Sequence, residues 1–122
     1  MRPGLAPGQP PREPEVIDWA SARAAVKLLG YKWVLSVLEV LVDGPLRKAD
    51  IHRAVGSGLQ YKVLTDTLLR MERAGLIGRC LLDDSTTAVG YQLTPIAGSL
   101  VEPLAALAEW MRRYRDHMRR RR

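Results

Sequence analysis

The side chains best suited to chemistry lie in one stretch, residues 60–78, with the sequence QYKVLTDTLLRMERAGLIG. It carries short hydrogen-bonding groups first and cations later, namely Gln60, Tyr61, Lys62, Thr65, Asp66, Arg70 and Arg73. Such groups match the donors and acceptors that base pairs show in the DNA major groove, which is wide enough to admit a helix. The alternative is an ordinary amphipathic surface helix with a solvated polar face.

Each of these side chains suits a particular contact. Gln60 matches adenine, whereas Lys62 or Arg70 matches guanine or a phosphate. Asp66 repels phosphate, so it either reads cytosine or pairs locally with Lys62 or Arg70. Four further cations are better suited to phosphates, which supply affinity without sequence information: Arg47, Lys48, Arg53 and Arg73.

Other kinds of chemistry find little support in the sequence. The two histidines, His52 and His117, form no zinc-spaced cluster with the single cysteine, Cys80, and one cysteine excludes an internal disulfide. No glycine-rich phosphate loop or histidine beside a nucleophile is present, so we assign no catalytic residue, metal or cofactor. Cys80 is either a small buried hydrophobe or, next to Arg79, a redox-active thiol. The adjacent carboxylates at 83–84 are typical of a solvated turn, with cation binding as the alternative.

The element that must carry the polar face is a helix. Its apolar positions, Val63 or Leu64, Leu68, Met71 and Leu76, recur at intervals that mark one core-facing side. Gly75 follows the last charged turn and is predicted to close the helix in the left-handed conformation.

Three helices are predicted before this one. Residues 16–30 form the first, capped by Asp18 or Ser21, and residues 31–44 form a second, apolar enough for the middle of the core. Leu46 favours a brief strand. The third helix is Lys48 to Val55, with Ala49, Ile51 and Ala54 or Val55 facing inward. Gly56-Ser57-Gly58 then makes a short turn, and two helices joined in this way are typical of a helix-turn-helix.

The pattern after Gly75 changes from helical to alternating. Residues 76–82 and 88–93 flank a polar turn and predict a β-hairpin, which would form a wing directly behind the recognition helix. Thr94 and Pro95 are expected to cap and start one final helix. Its apolar residues approach a heptad repeat, which favours packing against a second subunit: Ile96, Leu100, Leu104, Leu107, Met111 and Tyr114.

Length and charge set the organisation. At 122 residues, with 47% apolar and 26% charged residues, the chain suits one globular domain. We expect a disordered or extended arm over 1–14, a DNA-binding and dimerisation domain over 15–114, and a basic tail over 115–122.

The positive charge is concentrated in two regions. From Arg112 onward the chain has seven arginines and one acidic residue, and residues 47–79 have seven basic and three acidic residues. The +6 charge favours a polyanionic partner. The arginine-rich end either reaches DNA or is a solubilising helix end.

No apolar run approaches the roughly 20 residues that span a bilayer, and the start lacks a secretory apolar segment. We therefore expect a cytoplasmic, nucleoid-associated protein with no membrane partner.

Several segments together resemble a known family. They are LLGYKW, VLSVL and DGP in the first half, then KVLTDTLLRMERAGLI, VGYQLTPIAGSL and a closing LxxLAEW, spread from about Ala24 to Trp110. The chain resembles HxlR-type transcriptional regulators, a branch of the MarR-like winged-helix superfamily. The resemblance implies a mainly α fold with a small β-hairpin wing, a winged helix-turn-helix of the α+β kind, in which the first and last helices form a homodimer.

The resemblance also implies function and site residues. Members are dimeric repressors or activators that bind double-stranded DNA. The matching contact positions are Gln60, Tyr61, Lys62, Thr65 and Arg70 on the helix, and Arg79 with Thr86 or Thr87 at the wing. The departures of this chain from the family pattern include three at single positions. The chain has Lys48 where an aromatic residue follows the arginine, Gln60 where a serine caps the recognition helix, and Ala20 near the position of a redox-active cysteine.

Two further classes of function remain open. Trp33 and Trp110 are core or interface residues, or else they wall a pocket for a small apolar effector at the dimer interface. A winged-helix module that binds protein is the other alternative, although it would not need the basic surface from Arg47 to Arg79. Steep loss of DNA affinity with rising salt distinguishes a DNA-binding protein from such a module.

Overall fold

The computed structural model describes residues 16–82 and 88–121. These residues form a mainly helical fold with one antiparallel hairpin, which confirms the predicted fold class. In chain order the elements are α1 (Trp19–Leu29), α2 (Val34–Leu41), α3 (Lys48–Val55), α4 (Tyr61–Arg73), β1 (Ile77–Leu81), β2 (Val89–Leu93), α5 (Pro95–Gly98) and α6 (Val101–Arg120). The predicted arm over 1–14, the carboxylates at 83–84, and Thr86 and Thr87 lie outside the described residues.

The core is built around α2 and the inner side of α4. Helix α2 buries Val34, Val37, Leu38 and Leu41, as its apolar sequence predicts. Helix α4 adds Leu64, Thr67, Leu68 and Met71. In helix α3 Ile51 is buried as predicted, and of the alternatives Ala54 and Val55 it is Val55 that is half-buried, whereas Ala49, predicted as an inward position, is exposed. A helix of two turns that packs along one edge needs only a narrow apolar stripe.

The wing is anchored to the core at its base. Strands β1 and β2 pair antiparallel from Ile77↔Leu93 to Leu81↔Val89. Leu46 forms the predicted brief strand as a bridge to Tyr91, and the two residues exchange backbone hydrogen bonds of 3.1 and 2.8 Å. The Thr94 hydroxyl donates to the Gly75 carbonyl oxygen at 2.6 Å. The end of α4 is therefore tied to the end of the hairpin.

Sequence signals for the helix ends hold at three places. Asp18 caps α1, and the Ser21 hydroxyl that donates to its carboxylate lowers the pKa of Asp18. Thr94 caps α5 as expected. Gly75 has φ +74°, the left-handed conformation predicted for it at the end of α4.

The single final helix expected from Thr94 is wrong, because the structure divides it into α5 and α6. Pro103 explains the break. A proline has no N–H to donate to the carbonyl of Ser99, and its ring clashes with that carbonyl in a continuous helix. In the first turn of a new helix the same proline is tolerated, and Pro103 stands there in α6.

Helices α1 and α6 contribute no buried residue to the core of this chain. Helix α6 continues through the arginine-rich segment to Arg120, so the boundary we predicted between domain and tail falls inside a helix. No helix in the described part of the chain is both long and apolar enough to cross a bilayer.

Candidate nucleic-acid interface

The turn between α3 and α4 sets the angle of the two helices. Gly56 and Gly58 have φ values of +92° and +93°, which residues with a Cβ rarely adopt. Leu59, at the end of the turn, is buried, and its carbonyl oxygen lies 2.7 Å from Nε2 of His52. A hydrogen bond between the His52 side chain and the Leu59 backbone, together with the buried Leu59 side chain, therefore fixes the start of α4 against α3.

The outward face of α4 is defined by its buried face. Leu64, Leu68 and Met71 point into the core, and each residue advances about 100° around a helix. The residues opposite them form a ridge along the outward face, and all are exposed: Lys62, Asp66, Leu69 and Arg73. Thr65 and Arg70 lie on the two flanks of this ridge. Leu69 was not singled out in the sequence, although its spacing of seven from Lys62 predicts this position.

Thr65 belongs to a hydrogen-bonded cluster between α3 and α4. The Lys48 ammonium donates to Oγ1 of Thr65 and lies 4.3 Å from the centre of the Tyr61 ring. The Thr65 hydroxyl donates in turn to the Tyr61 carbonyl oxygen at 3.0 Å. The opposite edge of this cluster is His52, whose ring meets Tyr61 edge-on with centroids 5.3 Å apart. Lys48 thus has a structural partner as well as its predicted role at a phosphate.

Arg70 lies against the turn between α1 and α2. Its guanidinium carbon is 3.8 Å from the centre of the Tyr31 ring, a close cation–π contact. A groove of about 630 Å³ opens beside this pair between α1 and α4. Its cations are Lys27, Arg70 and Arg73, and Asp66 is the acidic residue among its lining. Tyr31 was not predicted as part of the site.

Two of the cations predicted to contact DNA are held by acidic neighbours. Arg53 pairs with Asp50 at 3.0 Å, and Arg79 pairs with Glu72 at 3.3 Å. Arg53 is 78% exposed and Arg79 is 64% exposed, so such pairs contribute little to stability and still present charge to solvent. Gln60 precedes α4 at the N-cap position but makes no capping side-chain bond. Its exposed amide is therefore not used to cap α4.

Trp33 and Trp110 lie in different surroundings. Trp33 packs against the core, near Gly58 and beneath Lys32. Trp110 is 51% exposed on α6, where it stacks on Tyr114 with centroids 5.2 Å apart. Cys80 is half-buried on β1. The effector pocket and the thiol chemistry considered for these residues stay predictions.

Comparison with known proteins places the fold and sequence in one group. The HxlR-like helix-turn-helix family model matches residues 28–119. An uncharacterized HTH-type transcriptional regulator from Methanothermobacter thermautotrophicus is 38% identical over 97 residues, which cover 80% of this chain and 73% of the relative. A crystal structure described as a transcriptional regulator of the MarR family, from Enterococcus faecalis V583, superimposes with a TM-score of 0.75 and 30% identity over 86% of this chain and 94% of the other. Quinone-bound YodB from Bacillus subtilis gives a TM-score of 0.66 and 26% identity over 76% and 96% of the two chains.

Proposed function

This chain belongs to the HxlR-like helix-turn-helix family of transcriptional regulators, and from that premise we propose that it acts as a homodimer on a specific duplex sequence. The proposed dimer represses or activates transcription by occupying an inverted-repeat operator on cytoplasmic, chromosomal DNA. The outward face of α4 contacts base edges in the major groove, and the wing contacts the neighbouring phosphate backbone of the DNA.

The observation that carries the proposal is the division of α4 into two faces. One side is locked into the core by Leu64, Leu68 and Met71, while the side bearing Lys62 and Arg73 is exposed. A rigid mounting lets an exposed face hold its side chains in register with base edges, which is the arrangement of a recognition helix.

Phosphate contacts would come from the elements on either side of that face. Arg47, Lys48 and Arg53 lie on or just before α3, and Arg79 lies on the wing. Their charges neutralise backbone phosphates and orient the helix, whereas Gln60, Tyr61, Lys62 and Thr65 at the start of α4 meet the bases. Arg70, stacked on Tyr31, is better placed to support α4 from the side than to enter the DNA major groove.

The dimer proposal is supported by the apolar stripe of α6. Its members recur at intervals of three and four and remain largely exposed in the protomer: Leu107 at 59%, Trp110 at 51%, Tyr114 at 45% and Met118 at 39%. An exposed stripe of this length is typical of an interface. Helix α1, with Trp19 63% and Val26 72% exposed, offers a second apolar surface for the same partner. Twofold symmetry would place two copies of α4 about 34 Å apart, one turn of DNA.

Regulation by a small effector is a second candidate function. The α1–α4 groove, at about 630 Å³, has the size of a small-molecule site and touches the recognition helix. YodB, a structural neighbour, has been crystallised with quinone bound. Because Ala20 occupies the region where several relatives carry a redox-active cysteine, a ligand here would bind without reacting with a thiol at that position. Trp33 and Trp110 remain the proposed walls of an alternative pocket at the dimer interface.

Selection from random duplexes, followed by fluorescence anisotropy, tests the main proposal. The chain should enrich an inverted repeat with half-sites about one turn apart, and its affinity should fall steeply as salt rises. The double variant Lys62→Ala with Arg73→Ala should lose selective binding while remaining a dimer. Enrichment of no sequence, or unchanged affinity in a folded double variant, would overturn the proposal.

A further inference from the structure

The Thr65 hydroxyl is already occupied by protein groups. Its hydrogen goes to the Tyr61 carbonyl oxygen one turn earlier, at 3.0 Å, and one lone pair accepts from the Lys48 ammonium. Back-bonding of this kind is a common choice for threonine in a helix. Lys48 is itself held at two points, because its ammonium also lies over the Tyr61 ring. The hydroxyl is therefore fixed from both sides.

This arrangement limits what Thr65 offers to DNA. A hydroxyl has one hydrogen, so an occupied hydroxyl cannot donate to guanine O6, guanine N7 or thymine O4. The hydroxyl keeps one lone pair, which could accept from adenine or cytosine. Toward guanine and thymine, which present only acceptors at these edges, the group left is the Cγ2 methyl of an exposed residue on the flank of the α4 ridge. Among the four bases, thymine alone presents a methyl group in the major groove, and a threonine methyl is one of its apolar partners.

We infer that Thr65 selects thymine by methyl–methyl contact and not by hydrogen bonding. The inference deepens the proposed function and rests on it, because it requires α4 to lie in the major groove. It also assigns Lys48 a part in specificity, since Lys48 holds the Thr65 hydroxyl away from the bases. The two remaining N–H groups of Lys48 stay free to meet a phosphate.

The contact can be tested without altering any hydrogen bond in the DNA. Each thymine of the selected half-site is replaced in turn by deoxyuridine, which lacks only the 5-methyl group. At one thymine in each half-site we expect roughly fourfold weaker binding, the effect of one buried methyl group, and roughly fifteenfold when both half-sites are changed. The remaining thymines should tolerate the change.

Two variants assign the effect to Thr65. Thr65→Val keeps the methyl and removes the hydroxyl, so the preference for thymine over deoxyuridine should remain. Thr65→Ser keeps the hydroxyl and removes the methyl, so the preference should disappear. Thermal unfolding of each variant confirms that the helix is intact before binding is compared.

The outcomes separate this inference from the proposed function. A wild-type chain that selects no duplex sequence contradicts the proposed function. Selective binding in which every thymine tolerates deoxyuridine overturns the inference alone, as does a Thr65→Ser variant that discriminates as well as the wild type. Loss of the preference in Thr65→Val would also overturn it, because the hydroxyl would then be the reading group.

Discussion

Truncation of one residue on α6 should weaken the proposed dimer by a calculable amount. Leu107 is 59% exposed in the protomer. Leu107→Ala removes about three carbons, worth about 2.4 kcal/mol at ~0.8 kcal/mol each when a partner buries them fully. Scaling by the exposed fraction gives about 1.4 kcal/mol per protomer and ~2.8 kcal/mol for a twofold dimer. That loss corresponds to roughly a hundredfold higher dissociation constant.

Sedimentation velocity over a dilution series measures this change. Leu81→Ala is a matched control, since Leu81 is 60% exposed but lies on the wing, away from α6. The control should dimerise as the wild type does. A wild-type chain that remains monomeric at micromolar concentration, or a Leu107→Ala variant that dimerises within twofold of the wild type, would refute the assignment of α6 to the interface.

Three further predictions concern the recognition helix. Lys62→Ala should lower the preference for the selected operator over a random duplex by about 1–3 kcal/mol, the value of one base contact, whereas Arg23→Ala on α1 should leave it unchanged; an equal preference in both variants would argue against α4 at the bases. Gly75→Ala, at φ +74°, should lower the free energy of unfolding by about 1 kcal/mol in urea titrations, and Gly75→Asn by less. Met71→Ala should cost about 2–5 kcal/mol by the same measurement, since Met71 is wholly buried, and a loss below 1 kcal/mol would contradict that packing.

The helices and the hairpin could be predicted from the sequence because several local signals indicate the same elements. The spacing of Leu64, Leu68 and Met71 predicts the buried face of α4, and Gly75 predicts its end. The bounds of α3 match the prediction residue for residue. Pro103 is also a local signal for the break between α5 and α6, but the apolar periodicity across it predicts one continuous helix.

The side-chain contacts within the candidate site could not be predicted from the sequence in the same way. The Lys48 ammonium reaches Thr65, and Arg70 reaches Tyr31, only because the glycines of the turn and the buried core set the helix angles. The charge pattern of the sequence does not distinguish Lys48 and Arg70 from any other exposed cation. Contacts between elements depend on the tertiary arrangement, for which the sequence of either element alone carries no signal.

Site-directed DNA cleavage tests most directly whether two copies of α4 enter the major groove. Cys80 is the single cysteine, so a Cys80→Ser, Leu69→Cys variant accepts an iron chelate at one position on the outward ridge. On the selected operator, cuts should fall in two clusters about 10 base pairs apart, related by the twofold axis of the repeat. A single cluster, or cuts spread evenly along a duplex that the protein binds selectively, would contradict the account.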